Sequence, residues 1–298
     1  MADLTGIIPA LLTPISEDGG IGTPALERLL ERLYSAGVDG MYVCGQTGEG
    51  LLQTAEMRKK VAEVAVRCTP AGKTNIIHVG AHRPDDAVEL ARHARSIGAD
   101  AVSSLPPIGG YSFADVRAYY ERIAAAAELP VLVYYFPEVS GAIRTMDEIQ
   151  QLCAIPGVVG LKFTDFDLFR LSRLVLGGAT VFNGRDEVLA AGLLMGAHGG
   201  IGTFYNLLPE AFVEVWRSAR AGDWTGARRV QDRINALIEL TIRFPVFPAV
   251  KKMMAWFGID CGPCLAPRRV LSPSEEEALR AALQQAGFEE LLAKHAVC

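Results

Sequence analysis

Lys162 closes the run Val158-Val159-Gly160-Leu161-Lys162, whose near-continuous hydrophobicity suits a strand buried on both faces. A lysine ending such a strand must snorkel, find a counter-charge or give up its proton. The neutral amine is a nucleophile able to form a Schiff base with a carbonyl substrate. Tyr134, in Tyr134-Tyr135-Phe136-Pro137, offers a phenol that can give and take a proton, or a core aromatic with a satisfied hydroxyl. The loop Gly45-Gln46-Thr47-Gly48-Glu49-Gly50 reads as a tight turn or as an anion-binding nest of successive amides. Thr164 and Asp165 follow Lys162, while Gly184-Arg185-Asp186-Glu187 and Gly202-Thr203-Phe204-Tyr205-Asn206 follow two further apolar runs. Singly these are ordinary residues. Together, amine, phenol and nest are the equipment of a Schiff-base aldolase for a 2-oxo acid: the nest holds the carboxylate, Lys162 condenses with the ketone and Tyr134 moves protons. The iminium then accepts the electrons of a breaking carbon–carbon bond.

Such residues need a scaffold that gathers them. Short apolar runs recur at Ile7–Leu12, Gly40–Val43, Asn75–Val79, Ala101–Leu105, Pro130–Tyr134, Val158–Lys162, Thr180–Phe182 and Gly199–Gly202. Helical patterns separate them. Thr23-Pro24 opens one that stops near Gly37, and Thr54 caps another. Further helices are expected over Pro84–Ile97, Ser112–Ala127, Thr145–Cys153, Phe166–Leu176, Asp186–Met195 and Pro209–Ala221. Eight such pairs predict an α/β fold, the (β/α)8 TIM barrel, over residues 1–222. Residues 223–298 are expected to form a C-terminal helical extension packed on the barrel, with pieces at Trp224–Phe244, Pro248–Phe257 and Ser272–Ala286. A doubly wound sheet would use fewer of these strands. In a barrel, active sites sit at the C-terminal ends of the strands, where all of the residues above fall.

The chain has 298 residues, half of them hydrophobic, and a formal net charge of −5 without a basic run. That balance argues against nucleic acid or a membrane surface as partner. Neither a signal-peptide pattern nor a membrane-length apolar stretch is read, and the six cysteines lack a disulfide framework spacing. The expected setting is the cytoplasm, with reduced thiols.

From Gly6 to about Arg268 the sequence resembles the pyruvate-dependent class I aldolases that include N-acetylneuraminate lyase and dihydrodipicolinate synthase. The likeness is carried by Gly45–Gly50, the tyrosine stretch ending in Pro137, Gly160-Leu161-Lys162, Gly184–Glu187 and Gly202–Asn206. Ile76-Ile77-His78-Val79-Gly80-Ala81, Gly160–Leu168, Tyr134-Tyr135 and Leu194-Met195-Gly196-Ala197 look more like the neuraminate lyases, the animal type above all. The resemblance implies Lys162 as the Schiff-base lysine and Tyr134 as the acid/base. It implies that the Thr47 hydroxyl with the Thr47 and Gly48 amides binds the pyruvate carboxylate, beside Gln46. It places Thr164, Gly184, Asp186, Glu187 and Thr203, next to Gly202, along the sugar chain. It also implies no metal and no cofactor beyond the covalent Schiff base, pyruvate and an aldehyde as small-molecule partners, and a homotetramer.

Three departures shape the substrate reading. Gln46 stands where the family usually has a hydroxyl residue, and an amide cannot shuttle a proton as a hydroxyl does. Pro106–Tyr111 has no clear match to the tyrosine that crosses a subunit interface, and no arginine follows Pro137 until Arg144, against dihydrodipicolinate synthesis. Thr203 in place of serine is mild. The expectation is a lyase releasing pyruvate from a 2-oxo sugar acid such as N-acetylneuraminate. The alternatives are dihydrodipicolinate synthase, a 2-keto-3-deoxy acid aldolase, or a barrel that binds a 2-oxo acid without catalysis. Three other motifs read as incidental. Cys261-Gly262-Pro263-Cys264 has redox-pair spacing but follows a helix and precedes prolines, His78 and His82 lack a third ligand, and Arg268-Arg269 is too short for a nucleic-acid patch.

Overall fold

The computed structural model describes residues 4–291. Eight strands run in parallel: β1 (Gly6–Pro9), β2 (Gly40–Val43), β3 (Thr74–His78), β4 (Ala101–Ser104), β5 (Val131–Tyr135), β6 (Val158–Phe163), β7 (Thr180–Asn183) and β8 (Gly199–Gly202). Their order around the sheet is β1-β8-β7-β6-β5-β4-β3-β2. The two ends meet where Ala10 bridges Tyr42 and the Leu11 amide donates to the Tyr42 carbonyl at 2.9 Å, which closes the barrel. Helices α1 (Thr23–Ser35), α2 (Ala55–Arg67), α3 (Pro84–Ser96), α4 (Phe113–Ala127), α5 (Met146–Cys153), α6 (Leu168–Leu176), α7 (Leu189–Leu194) and α8 (Pro209–Arg220) follow the strands in turn. Then come α9 (Trp224–Thr241), α10 (Val246–Phe257) and α11 (Pro273–Gln285). The (β/α)8 barrel expected from the sequence is the fold.

The local reasons are those the sequence carries. The Thr54 hydroxyl accepts from the Met57 amide, and full capping boxes start α4 at Ser112/Asp115, α5 at Thr145/Glu148 and α11 at Ser272/Glu275. Alternation along the strands divides the apolar residues into two cores. Leu26, Val61, Leu90, Leu161 and Phe163 belong to the larger one, between sheet and helices, whereas Ile8, Tyr42, Ile76, Leu132, Tyr134, Phe182 and Ile201 fill the barrel interior.

Several boundaries move for identifiable reasons. β6 continues through Phe163, which pairs with Tyr135 and Asn183, so Lys162 lies inside the ladder rather than at its end. β1 stops at Pro9, and Leu12 donates instead to Asn206 Oδ1 at 3.2 Å. α6 starts two residues later than expected because the Asp167 carboxylate caps the Arg170 amide. The segment expected as one helix from Asp186 opens as a 3-10 turn, Asp186–Val188, before α7.

Candidate active site

Register decides which side chains meet. Lys162 is the ladder partner of Tyr134 on one side and of Phe182 on the other, and all three face the barrel interior. Its Nζ lies 4.0 Å from the Tyr134 ring centroid and 4.4 Å from that of Tyr42. Those rings meet edge to face with centroids 5.9 Å apart. Lys162 is 4% exposed, and burial lowers its pKa from 10.5 to about 7, against the pull of the Asp186 carboxylate. Near neutral pH a large fraction of this amine is therefore free base. Cation–π contact offsets part of the desolvation of the ammonium without supplying a counter-ion.

Burial likewise raises the Tyr134 phenol, which the Thr164 hydroxyl and the Arg185 charge only partly counter. It is a neutral proton donor at rest. Thr164 Oγ1 lies against the phenol but makes no well-formed hydrogen bond, which leaves both groups able to bond a ligand. His78 stands edge-on to Tyr134 with centroids 6.0 Å apart, and its Nε2 accepts from the Leu105 amide at 3.0 Å. That bond places the imidazole proton on Nδ1, and burial holds the ring neutral, so His78 packs beneath the site as a neutral ring.

The Gly45–Gly50 loop folds over the β2 end. Glu49 and Gly50 amides close it on the Gln46 and Gly45 carbonyls at 3.1 and 3.0 Å, while the Thr47 and Gly48 amides have no acceptor among the described residues. Gly50 is required, since a Cβ there would stand 1.8 Å from the Cys44 carbonyl oxygen. Thr13 Oγ1 and Gln53 Nε2 both donate to the Gly48 carbonyl, at 2.8 and 2.5 Å, which anchors the loop from below. Thr47 and Thr203 hydroxyls bond each other at 2.7 Å, so Thr203 lies at the nest itself.

Asp186 is buried, and burial raises its pKa to about 7; the Phe204 amide, donating at 2.7 Å, and the Lys162 charge act in the opposite direction. A Cβ on Gly202 would come within 2.0 Å of Asp186 Oδ1, and one on Gly184 within 2.1 Å of Thr164 Oγ1. Both glycines are thus present because a carboxylate and a hydroxyl need the space. The residues singled out in the sequence converge on one barrel mouth; Glu187 and Gln46 sit on its rim, half-buried.

Sequence reasoning missed the supports. Gln231 on α9 donates to the Asp186 carbonyl at 2.9 Å and accepts from the Ala190 amide, and Asn235 donates to the Glu187 carbonyl at 3.1 Å. The Glu49 carboxylate, fully buried, pairs with Lys251 Nζ of α10 at 2.8 Å and takes the Leu265 amide at 2.8 Å. A lysine amid the apolar Val246–Phe257 stretch was the available signal. Cys261 and Cys264 are free, and burial pushes both thiols up, to about 12 and about 11, the opposite of an activated redox pair.

Residues 3–286 match the model of the dihydrodipicolinate synthetase family. The chain belongs to that family. Its Schiff-base chemistry makes the protein a pyruvate-dependent lyase of the aldolase type. Within the family it is similar to the N-acetylneuraminate lyase of Rhizobium meliloti, 36% identical over 283 residues that cover 94% of each chain. Among solved structures it superposes on wild-type Ruminococcus gnavus sialic acid aldolase with a TM-score of 0.91 at 28% identity, covering 96% of this chain and 97% of the other. Proteus mirabilis N-acetylneuraminate lyase gives 0.88 at 31%, covering 96% and 99%.

Proposed function

We propose that the protein cleaves N-acetylneuraminate, or a closely related 2-oxo sugar acid, to pyruvate and an N-acylated aminosugar aldehyde. The observation that carries this reading is the juxtaposition of Lys162 and Tyr134: a buried amine with its pKa near 7, one ladder position from a buried neutral phenol. The likeness to relatives named for sialic acid cleavage supports the choice of sugar acid.

In this reading the substrate carboxylate takes the free Thr47 and Gly48 amides and the Thr47 hydroxyl. The Lys162 amine adds to the C2 ketone, and Tyr134 protonates the departing hydroxyl so that water leaves and an iminium forms. That cation, held over the Tyr134 ring, favours the phenolate created in the same step. The phenolate removes the C4 hydroxyl proton, the C3–C4 bond breaks, and its electrons pass into the iminium as an enamine while the aldehyde leaves. Protonation at C3 and addition of water then release pyruvate and restore the amine. Thr164, Asp186 and Glu187 present hydroxyl and carboxylate groups for the polyol chain, with Gly184 and Gly202 leaving room for the Thr164 hydroxyl and the Asp186 carboxylate.

No helix among the described residues is long and apolar enough to cross a membrane. The five described cysteines are unpaired, which supports a reducing, cytoplasmic setting. The homotetramer is proposed on the adjacent helices α6 and α7, where Phe169, Leu176 and Leu194 are exposed. Sequence and site together favour catalysis needing no cofactor besides the substrate's own Schiff base.

The test is reduction with borohydride in the presence of pyruvate, followed by mass measurement and peptide mapping. A stable adduct on Lys162 is expected; a folded protein without one overturns the lyase mechanism. Pyruvate release from N-acetylneuraminate, beside a panel of 2-keto-3-deoxy acids, then decides the substrate. Condensation with aspartate semialdehyde is expected to be negligible.

A further inference from the structure

The pair Arg268-Arg269, incidental in the sequence, divides in the fold. Arg269 turns to the surface and pairs with Glu275, whereas Arg268 reaches back to the barrel mouth across more than two hundred residues of chain. Arg268 Nη1 lies 3.3 Å from Glu49 Oε2, and Nη2 lies 3.5 Å from the Gln46 carbonyl oxygen. The guanidinium is stacked on Phe247, 4.2 Å from the ring centroid. Its Nη1 is buried and makes no hydrogen bond, an expense that a purely structural surface arginine would avoid.

The formal charges at this point do not balance. Glu49 contributes one negative charge, and Lys251 and Arg268 contribute two positive ones. Lys251, 2% exposed, holds Glu49 Oε1 at 2.8 Å, which by itself neutralises the carboxylate, and donates a second bond to the Pro263 carbonyl. Arg268 is thus a second cation on a carboxylate that needs only one, and its other amino group faces the backbone of the loop whose Thr47 and Gly48 amides are free. A partly buried charge behind an anion nest acts through low dielectric and is screened little by salt.

The geometry points to Arg268 as the positioning residue of carboxylate recognition: it holds the Gln46 peptide in the nest and supplies the positive field there, from the C-terminal segment rather than the barrel. The inference rests on the lyase reading of the nest. It implies that the site is built to take a charged carboxylate, and discriminates against the same ketone with a neutral head group.

The experiment measures borohydride trapping of wild type, Arg268→Met and Arg268→Lys against pyruvate and against pyruvamide, the neutral analogue. Arg268→Met is expected to raise half-saturating pyruvate about tenfold, the size of one charge-assisted interaction, while changing the rate at saturation less than twofold. Its half-saturating pyruvamide stays put. Arg268→Lys keeps the charge but loses the fork, and falls between the two for pyruvate. An equal shift for both ligands, or none for pyruvate, overturns the inference. Should Arg268→Met not fold, the ratio of pyruvate to pyruvamide affinity in Arg268→Lys decides, an unchanged ratio overturning it. A wild-type protein that traps neither ligand refutes the lyase reading itself, a distinct outcome.

Discussion

Replacing Lys162 with methionine should stabilise the protein while abolishing its chemistry. Methionine is unbranched, of similar length and apolar, so it fills the same space between Tyr42, Tyr134 and Phe182. The native amine has a pKa of about 7 in place of 10.5. At about pH 7 the unfolded chain holds this proton fully and the native protein about half the time, which corresponds to a cost of about 4 kcal/mol. The cation–π contacts with Tyr42 and Tyr134 contribute at most about 2 kcal/mol in return, so a net gain of about 2–4 kcal/mol is expected. The gain has a direction in pH. Between about 7 and 10.5 the unfolded chain binds more protons than the native one, so wild-type stability rises with pH through that window. At about pH 9.5 the remaining cost is about 1 kcal/mol, and the advantage of the variant should shrink accordingly. Asp186, losing the cation that lowers its pKa, holds its proton more tightly and does not become a second buried charge. Urea unfolding of both proteins at the two pH values measures this directly. A destabilised Lys162→Met, or a gain independent of pH, would refute the view that the barrel interior strips the amine of its proton.

The same titration should appear in function: pyruvate trapping by wild type rises with pH through a midpoint of about 7, measured as the initial rate of adduct formation. Asp186→Asn removes the charge that raises the Lys162 pKa, so that midpoint should move to lower pH while sugar-acid cleavage weakens. Tyr134→Phe should retain the pyruvate adduct and lose about 10²–10⁴ in turnover, the range of a general acid–base group; full turnover there would remove its role. Gln231→Leu deletes the bonds to the Asp186 carbonyl and the Ala190 amide and should cost about 1–3 kcal/mol in a denaturant titration. It should also raise KM for the sugar acid more than half-saturating pyruvate in trapping, because it loosens the Asp186–Val188 turn and leaves the nest alone.

Local and periodic features of this protein are legible in its amino-acid order. Apolar runs of strand length, the Thr54 and Ser272 caps, and glycines after the runs located the barrel's elements within a few residues. Since a barrel sends every strand's C-terminal end to one mouth, the strand pattern alone places Lys162, Tyr134 and the Gly45–Gly50 loop together. Boundaries shifted where a side chain outbid the backbone ladder, as Asn206 did for Leu12. The protonation of the amine follows from the packed fold, because desolvation depends on the rings of Tyr42 and Tyr134 brought from β2 and β5. That fold alone reveals Gln231 behind Asp186, and Lys251 and Arg268 behind Glu49. Those partners lie some forty to two hundred residues away in the chain and obey no spacing rule; their charges and amides find each other only when the C-terminal helices fold against the barrel.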